Sequence, residues 1–180
     1  MTACPVFSVD VESYGLYGDP FAIGVSVRDP VDNKEIDSFF AWHPLEAVEG
    51  YPEDSPGTTW LRQNVLPHLG DAPTCKTPRE LRDLFWAFYE KWRARKASVV
   101  ADCGAPVETR LFYLCVRDDP KARNWDGPYP LHELRSRLLE RGLDPHATYP
   151  RLEDERPVHH PLCDARQSGR LWIRSEPTTQ

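Results

Sequence analysis

Two acidic residues, Asp10 and Glu12, follow a short apolar segment that is rich in β-branched residues. In an extended strand, residues two apart point to the same side, so both carboxylates face one way. Hard cations such as Mg²⁺ prefer oxygen ligands and are often held by one or two carboxylates together with a substrate phosphate. A D-x-E pair is also common on protein surfaces, but charge is costly without a partner beside a buried strand. The pair is therefore a candidate metal site.

Two more acidic residues lie near a predicted strand-to-helix junction in the second half of the chain. Asp102 ends an apolar segment, and Glu108 falls in the first turn of the helix predicted after it. Each also has an ordinary explanation, because acids are common at such turns and stabilise helix N-termini. For each acid taken separately, this structural role is a better explanation than metal binding.

A third candidate segment precedes and enters the last predicted helix. His159 and His160 come just before that helix, and Asp164 lies inside it. Histidine can accept a proton from water near neutral pH, which makes this segment a candidate for a general base beside a carboxylate. The competing interpretation is a solvated histidine pair. A zinc site formed with Cys163 would lack partners at familiar spacing.

The elements that must position these residues are readable from the hydrophobic pattern. Strand-like segments over 5–10, 21–28 and 36–42 are separated by turns and predict a three-stranded antiparallel meander. A helix capped by Thr58 or Thr59 follows, and Thr77-Pro78-Arg79-Glu80 begins a second with a capping box. Strand and helix then alternate: strand 97–102, helix from 105, strand 130–134, helix 135–141 and helix 161–172. This order predicts an α/β domain, a mixed sheet with helices on its faces.

Length and composition limit the class of protein. The 180 residues, 40% hydrophobic with six tryptophans, predict one domain over 1–174 and a polar tail over 175–180. The mean hydropathy of -0.58 and the lack of a long apolar run argue against a membrane span. The N-terminus lacks a secretory pattern and the five cysteines are scattered, so we expect a cytoplasmic location. The net charge of -6 is unfavourable for binding nucleic acid, although bound cations would reverse the sign locally.

In chain order the candidate motifs resemble those of the DnaQ-like DEDDh branch of 3′–5′ exonucleases. The segment 10–16, DVESYGL, is similar to the family's D-x-E-x-x-G-L, and the segment 159–166, HHPLCDAR, to its H-x-A-L-x-D-A. His159, rather than His160, takes the matching position. The second motif departs from the usual N-x-x-F-D pattern, because the chain has DCGAPVETRL over 102–111. Glu108 is the favoured match there, and Asp102 is its rival. The layout is also similar to that of small single-domain exoribonuclease-like members.

The resemblance implies an RNase H-like fold, in which a three-stranded antiparallel meander and parallel strands form one sheet flanked by helices. It implies stepwise hydrolysis of single-stranded RNA or DNA to nucleoside 5′-monophosphates with two divalent ions, Mg²⁺ or Mn²⁺. His159 would be the general base. The metal ligands would be Asp10, Glu12, Glu108 and Asp164, with Asp102 as the rival ligand of the second motif.

The resemblance also predicts contacts with the substrate and leaves alternatives open. Contacts to the terminal nucleotide are expected from Val11, Ser13, Tyr14 and Leu16, through backbone near the 3′ hydroxyl and through apolar or stacking contact. Ordinary packing explains these side chains about as well. A homodimer is plausible by base rate alone. One alternative is a catalytically weakened nucleic-acid-binding or regulatory module on the same fold. Another is an interaction domain whose acidic clusters are solvated surface.

Overall fold

The computed structural model of the chain describes residues 4–48 and 50–175. The polar tail predicted at 175–180 therefore lies, apart from Ser175, outside the described residues. Among the described residues, no helix is long and apolar enough to cross a membrane. The strands are β1 (Val6–Ser13), β2 (Pro20–Arg28), β3 (Glu35–Trp42), β4 (Ser98–Ala101) and β5 (His132–Glu133). The helices are α1 (Pro56–Asn64), α2 (Pro78–Arg93), α3 (Thr109–Asp118), α4 (Pro120–Arg123), α5 (Leu134–Glu140) and α6 (Pro161–Arg174).

The five strands form one mixed sheet in the order β3-β2-β1-β4-β5. β1 pairs antiparallel with β2, and β2 antiparallel with β3, which confirms the predicted meander. β4 runs parallel to β1 and to β5. The sheet is thus the mixed RNase H-like type expected from the motifs. Because parallel strands end at the same edge, the residues that follow β1 and β4 are neighbours.

The two faces of β1 have different partners, as the period of two along a strand requires. Phe7, Val9 and Val11 face the main apolar core with residues of α2 and α3. Ser8 and Asp10 face the other way, where α6 crosses β1 and β2. The aromatic residues of α2 therefore support the strand from behind and leave its acidic side turned toward α6.

Two helices begin more than one residue away from the predicted start. α1 begins at Pro56 because the Ser55 hydroxyl, rather than that of Thr58 or Thr59, caps it by accepting a hydrogen bond from the Thr58 amide at 3.1 Å. The helix predicted from 105 begins instead at Thr109, because Ala105 has extended dihedrals (φ -127°, ψ 142°) within an irregular turn over 104–108. The start of α2 is confirmed: Thr77 Oγ1 accepts a hydrogen bond from the Glu80 amide at 3.1 Å.

Candidate active site

The acidic side of β1 meets the N-terminal end of α6 at a position that carries no side chain. Asp10 pairs across the sheet with Gly24 of β2. A Cβ atom on Gly24 would lie only 2.1 Å from the backbone nitrogen of Leu162, so the first turn of α6 rests directly on the strand. This close approach brings Asp164, two residues further along α6, toward the carboxylate of Asp10.

One group of ligand atoms is compact enough to hold a single cation. Atoms of Glu12, His159 and Asp164 all lie within 4.8 Å of one another. Two of the three residues supply carboxylate oxygens, the ligands that Mg²⁺ and Mn²⁺ prefer. The first and third sequence motifs therefore meet in one place in the fold.

Asp10 lies at the centre of a larger acidic cluster. Burial raises the pKa of its carboxyl well above the usual value, and the negative charges of four neighbouring carboxylates raise this pKa further. In order of decreasing effect, those neighbours are Asp164, Glu12, Glu108 and Asp102. The structure thus brings together all five acids singled out in the sequence.

Two other carboxyls of the cluster also have raised pKa values. Burial raises the pKa of Glu108 to about 8, although backbone amides of Val11 and of Glu108 itself partly oppose the rise. Burial, followed by the charge of Asp164, raises the pKa of Glu12 to about 7. Carboxyls that are shielded from solvent and lack a nearby cation favour the neutral form, so a bound cation would stabilise the ionised form of the cluster.

The two rival acids of the second motif differ in their partners. Arg135 binds the Asp102 carboxylate through Nε at 2.9 Å and through Nη2 at 2.8 Å. Glu108 is 6% exposed, and among the described residues it forms no ion pair. Asp102 therefore has its own cation, whereas Glu108 faces the cluster without one.

His159 and Asp164 are held to each other by the backbone. His159 adopts a left-handed conformation (φ +63°), and its amide donates to Asp164 Oδ2 at 3.0 Å. Its ring meets the edge of Trp60 from α1, with the ring centroids 5.0 Å apart. Arg151 reaches Asp164 Oδ1 from the other side at 2.6 Å. The candidate base and the candidate ligand thus share one anchored unit.

His160 and Cys163 do not join this unit. The His160 ring packs against Phe40 with centroids 4.5 Å apart, and the Cys163 thiol donates to the backbone oxygen of Arg156 at 3.0 Å. Within the described part of the chain, the group of ligand atoms close enough to hold a metal contains neither residue. The structure therefore gives no support to the zinc alternative.

A cavity of about 320 Å³ opens beside Glu12. Three of the four residues expected to contact substrate, Val11, Ser13 and Leu16, line it. Tyr14 does not line this cavity, and its hydroxyl lies 2.5 Å from that of Ser55 and 2.9 Å from that of Thr58. Gly15 of the first motif lines the cavity as well. The sequence carried no sign of the other four lining residues, because they come from α1 and the 104–108 turn: Gly57, Trp60, Leu61 and Val107.

Comparison with known proteins adds evidence for the fold. No protein-family model matches the sequence, and no curated protein matches it. Among solved structures, the nuclease domain of 3′hExo, described as a DEDDh family member bound to rAMP, is similar with a TM-score of 0.54 and 15% identity. That match covers 94% of this chain and 90% of the other.

Two further solved structures agree. A 3′-exonuclease described in 3′-end specific recognition of a histone mRNA stem-loop matches with a TM-score of 0.53 and 12% identity over 97% of this chain and 82% of the other. A full-length 3′-exonuclease matches with a TM-score of 0.52 and 12% identity, over 97% of this chain and 60% of the other. The chain therefore has an RNase H-like fold. More narrowly, it shares its fold with the nuclease domain of 3′hExo, which is described as a DEDDh family member.

Proposed function

We propose that the protein is a metal-dependent 3′–5′ exonuclease that releases nucleoside 5′-monophosphates from single-stranded RNA or DNA. One observation carries the proposal: acids from the beginning, middle and end of the chain raise one another's pKa in a single buried cluster. Burying several carboxylates together lowers stability unless cations compensate their charge. A fold that keeps such a cluster beside a histidine is suited to hydrolysis assisted by metal ions.

The donor set fits a pair of hard divalent ions. Asp10, Glu12, Glu108 and Asp164 would hold them, because loss of solvent raises the pKa of all four carboxyls, and Asp164 keeps a raised pKa even with Arg151 beside it. When bound, Mg²⁺ or Mn²⁺ would polarise the phosphodiester and stabilise the negative charge that develops on its oxygens.

His159 is the residue proposed to move a proton. A ring nitrogen of His159 would take the proton of the attacking water, a contribution worth roughly 10²- to 10⁴-fold in rate. The hydrogen bond from its amide to Asp164 and the contact with Trp60 fix where the ring stands. The proposed base therefore lies beside the carboxylates.

The cavity beside Glu12 is proposed to hold the terminal nucleotide. Its volume of about 320 Å³ is that of a small-ligand pocket, a class that spans about 300–1,000 Å³. Leu16, Trp60 and Val107 offer apolar contact to any base, which suits an enzyme that removes nucleotides irrespective of sequence. Val11 and Ser13 flank Glu12 and are proposed to contact the terminal sugar.

The test is stepwise shortening of a 5′-labelled single strand in the presence of Mg²⁺ or Mn²⁺. Asp10→Asn, Glu12→Gln and His159→Ala should each reduce the rate by roughly 10²-fold or more. A ladder of the same intensity from all three variants would identify a contaminating nuclease and refute the proposal.

The second motif has its own test, because Asp102 is paired with Arg135 and Glu108 has no such partner among the described residues. Glu108→Gln should lose activity with the catalytic variants, since Glu108 lacks a cation of its own. Asp102→Asn should keep most of the activity, since Arg135 already neutralises Asp102. Single-turnover rates on the same labelled strand make the comparison. Loss of activity in Asp102→Asn alone would show that Asp102 is the ligand.

The altered second motif also keeps a second candidate function open, a nucleic-acid-binding or regulatory module with little turnover. Such a module would bind a labelled strand in the presence of Mg²⁺ without shortening it. We also propose a cytoplasmic location, which agrees with five free cysteines. The homodimer remains a base-rate expectation, and sedimentation of the purified protein would decide it.

A further inference from the structure

A second cavity, here called the entry groove, lies on the segment between α5 and α6 and has a volume of about 630 Å³. Residues 148–151 and 156–158 line it. Its apolar surface comes from Tyr149, Pro157 and Val158, and its charge comes from Arg151 and Arg156. The combination of apolar surface and guanidinium groups is suited to nucleotides, which present a flat base and an anionic phosphate.

Contacts from α6 hold this segment in place. Gln167 donates to the backbone oxygen of Tyr149 at 3.0 Å, and Arg170 donates to that of Pro150 at 2.8 Å. The same guanidinium of Arg170 binds the buried carboxylate of Glu155. The buried acid of this segment is thereby neutralised, and α6 supports the backbone of the entry groove through two hydrogen bonds.

Arg151 connects the entry groove with the acidic cluster. Its Nη1 contacts Asp164 Oδ1 at 2.6 Å and the backbone oxygen of Glu155 at 2.7 Å. A guanidinium carries five N–H donors, and these contacts occupy only those on Nη1. Within residues 4–48 and 50–175, nothing accepts a hydrogen bond from its Nε or Nη2. Arg151 can therefore bind an anion beside Asp164 without giving up its present contacts.

Arg156 supplies a cation that, unlike Arg151, has no acidic partner among the described residues. Its side chain is exposed, and among the described residues it has no hydrogen-bond or ion-pair partner. The chain as a whole has a net charge of -6, so an arginine without an acidic partner makes this groove locally more positive than the rest of the protein. The entry groove therefore contains one arginine that contacts Asp164 and one whose charge has no acidic partner in the described part of the chain.

We propose that the entry groove binds the part of the strand on the 5′ side of the scissile bond. The cavity that holds the terminal nucleotide reaches the acids through Glu12, and the entry groove reaches them through Arg151. A strand whose scissile phosphate lies on the acids then continues along the groove. Arg151 binds the first phosphate beyond the scissile one, and Arg156 binds the next. This inference rests on the proposed exonuclease function.

The experiment compares two substrates that differ only in the part that the entry groove binds. The p-nitrophenyl ester of a nucleoside 5′-monophosphate contains the terminal nucleotide alone, whereas a short labelled oligonucleotide also extends along the groove. Arg156→Gln should lower the ratio of kcat/KM for the oligonucleotide to that for the ester by about tenfold, the size of one lost charged hydrogen bond. Most of the change should be in KM.

Two matched variants control for charge and for chemistry. Arg95→Gln makes the same charge change at an exposed arginine that stacks on Trp92. Arg95 lies just before β4 begins, whereas Glu12 and Asp102 lie near the C-terminal ends of β1 and β4. This variant should leave both rates unchanged. Arg156→Lys should restore most of the oligonucleotide rate, since Lys also binds phosphate. The salt dependence gives an independent measure: Arg156→Gln should reduce the slope of log affinity against log salt by about 0.7.

The results separate the groove from the exonuclease proposal. Equal loss on both substrates, or an unchanged salt slope, would overturn the role of the entry groove while leaving the nuclease intact. If the unaltered protein cleaves neither substrate, the exonuclease proposal fails. Fluorescence anisotropy of the labelled oligonucleotide with Ca²⁺ still tests the groove in that case. Arg156→Gln should weaken binding about tenfold, and equal affinity would refute the inference.

Discussion

In the candidate site, five carboxyl groups lie close together, and among the described residues arginines pair with only two of them. Asp10 is buried, and each of its acidic neighbours raises its pKa further. The arginines of the neighbourhood are placed at the periphery of the cluster, where Arg135 binds Asp102 and Arg151 binds Asp164. The centre of the cluster is therefore the place where a divalent ion would stabilise the protein most.

This arrangement predicts that neutralising Asp10 stabilises the metal-free protein. Asp10→Asn keeps the shape of the side chain and removes one buried charge, so its Tm in EDTA should rise by roughly 2–4 °C for each kcal/mol of repulsion relieved. The variant should also lose the further rise in Tm that Mg²⁺ gives to the unaltered protein. Differential scanning fluorimetry measures both effects.

Asp102→Asn is the matched control for this substitution. It removes a charge that Arg135 already neutralises, so the Tm in EDTA should stay the same or fall. A lower Tm for Asp10→Asn than for the unaltered protein would show that the cluster is compensated in the folded state and would contradict the prediction.

At the same scale, the sequence predicted the acidic residues of the site but not the arginines that pair with two of them. The spacing of Asp10 and Glu12 is sufficient to predict that both carboxylates lie on the same face of the strand, because residues two apart in a strand point the same way. The partners Arg135 and Arg151 come from segments whose positions depend on tertiary packing, so local patterns carry no sign of them. Arg82 shows the same limit.

Arg82 of α2 is buried against Asp118 of α3 in an ion pair of 2.5 Å. Leu84 of the same helix is 45% exposed. The pattern within α2 does not reveal this ion pair, because the partner lies in a different helix.

At the scale of elements, the position of α6 determines the geometry of the site. The helix rests on β2 at Gly24, where a Cβ atom would lie 2.1 Å from backbone atoms of the first helical turn. Backbone cannot yield as the end of a flexible side chain can, so any side chain at this position displaces the helix. Because His159 precedes α6 and Asp164 lies in it, such a displacement moves the proposed base and a proposed ligand together.

We predict that Gly24→Ala reduces exonuclease activity by about 10²-fold, the effect of displacing catalytic groups by about 1 Å. The Tm should also fall, since overpacking costs roughly 1–3 kcal/mol. Activity of the folded fraction, measured below the Tm, separates the two effects. Gly127→Ala is the control, because its Cβ would be 3.9 Å from the nearest atom, in Val116. Full activity in Gly24→Ala would show that α6 does not depend on this contact.

The sequence predicted most elements because each strand and helix has a clear period of its own. The differences fall where local patterns compete with backbone geometry. Ala105 looked like part of a helix, but its extended conformation delays α3 until Thr109 and leaves Glu108 at the end of an irregular turn. The seating of α6 on Gly24 was also beyond local patterns, since a glycine in a strand does not reveal which element approaches it.

At the scale of the whole molecule, the acidic cluster couples folding to pH. Relative to a usual pKa of 4.5, Glu12 is raised to about 7 and Glu108 to about 8. The folded protein therefore binds protons that the unfolded chain has already released, and the free energy of unfolding falls as pH rises through this range. Three histidines with lowered pKa values act in the opposite direction, but only below about 6.5, the usual pKa of histidine. They are His43, His132 and His160.

The metal-free protein should therefore lose stability between about pH 6.5 and pH 8.5, where the carboxyls of the cluster dominate the titration. Urea unfolding in EDTA at a series of pH values measures this slope. The double variant Glu12→Gln and Glu108→Gln should flatten it, because neither amide titrates. Saturating Mg²⁺ should flatten it as well, since a bound cation favours the ionised carboxylates over the whole range. A slope of unchanged size in the double variant would assign the pH dependence to groups other than Glu12 and Glu108 and would contradict the prediction.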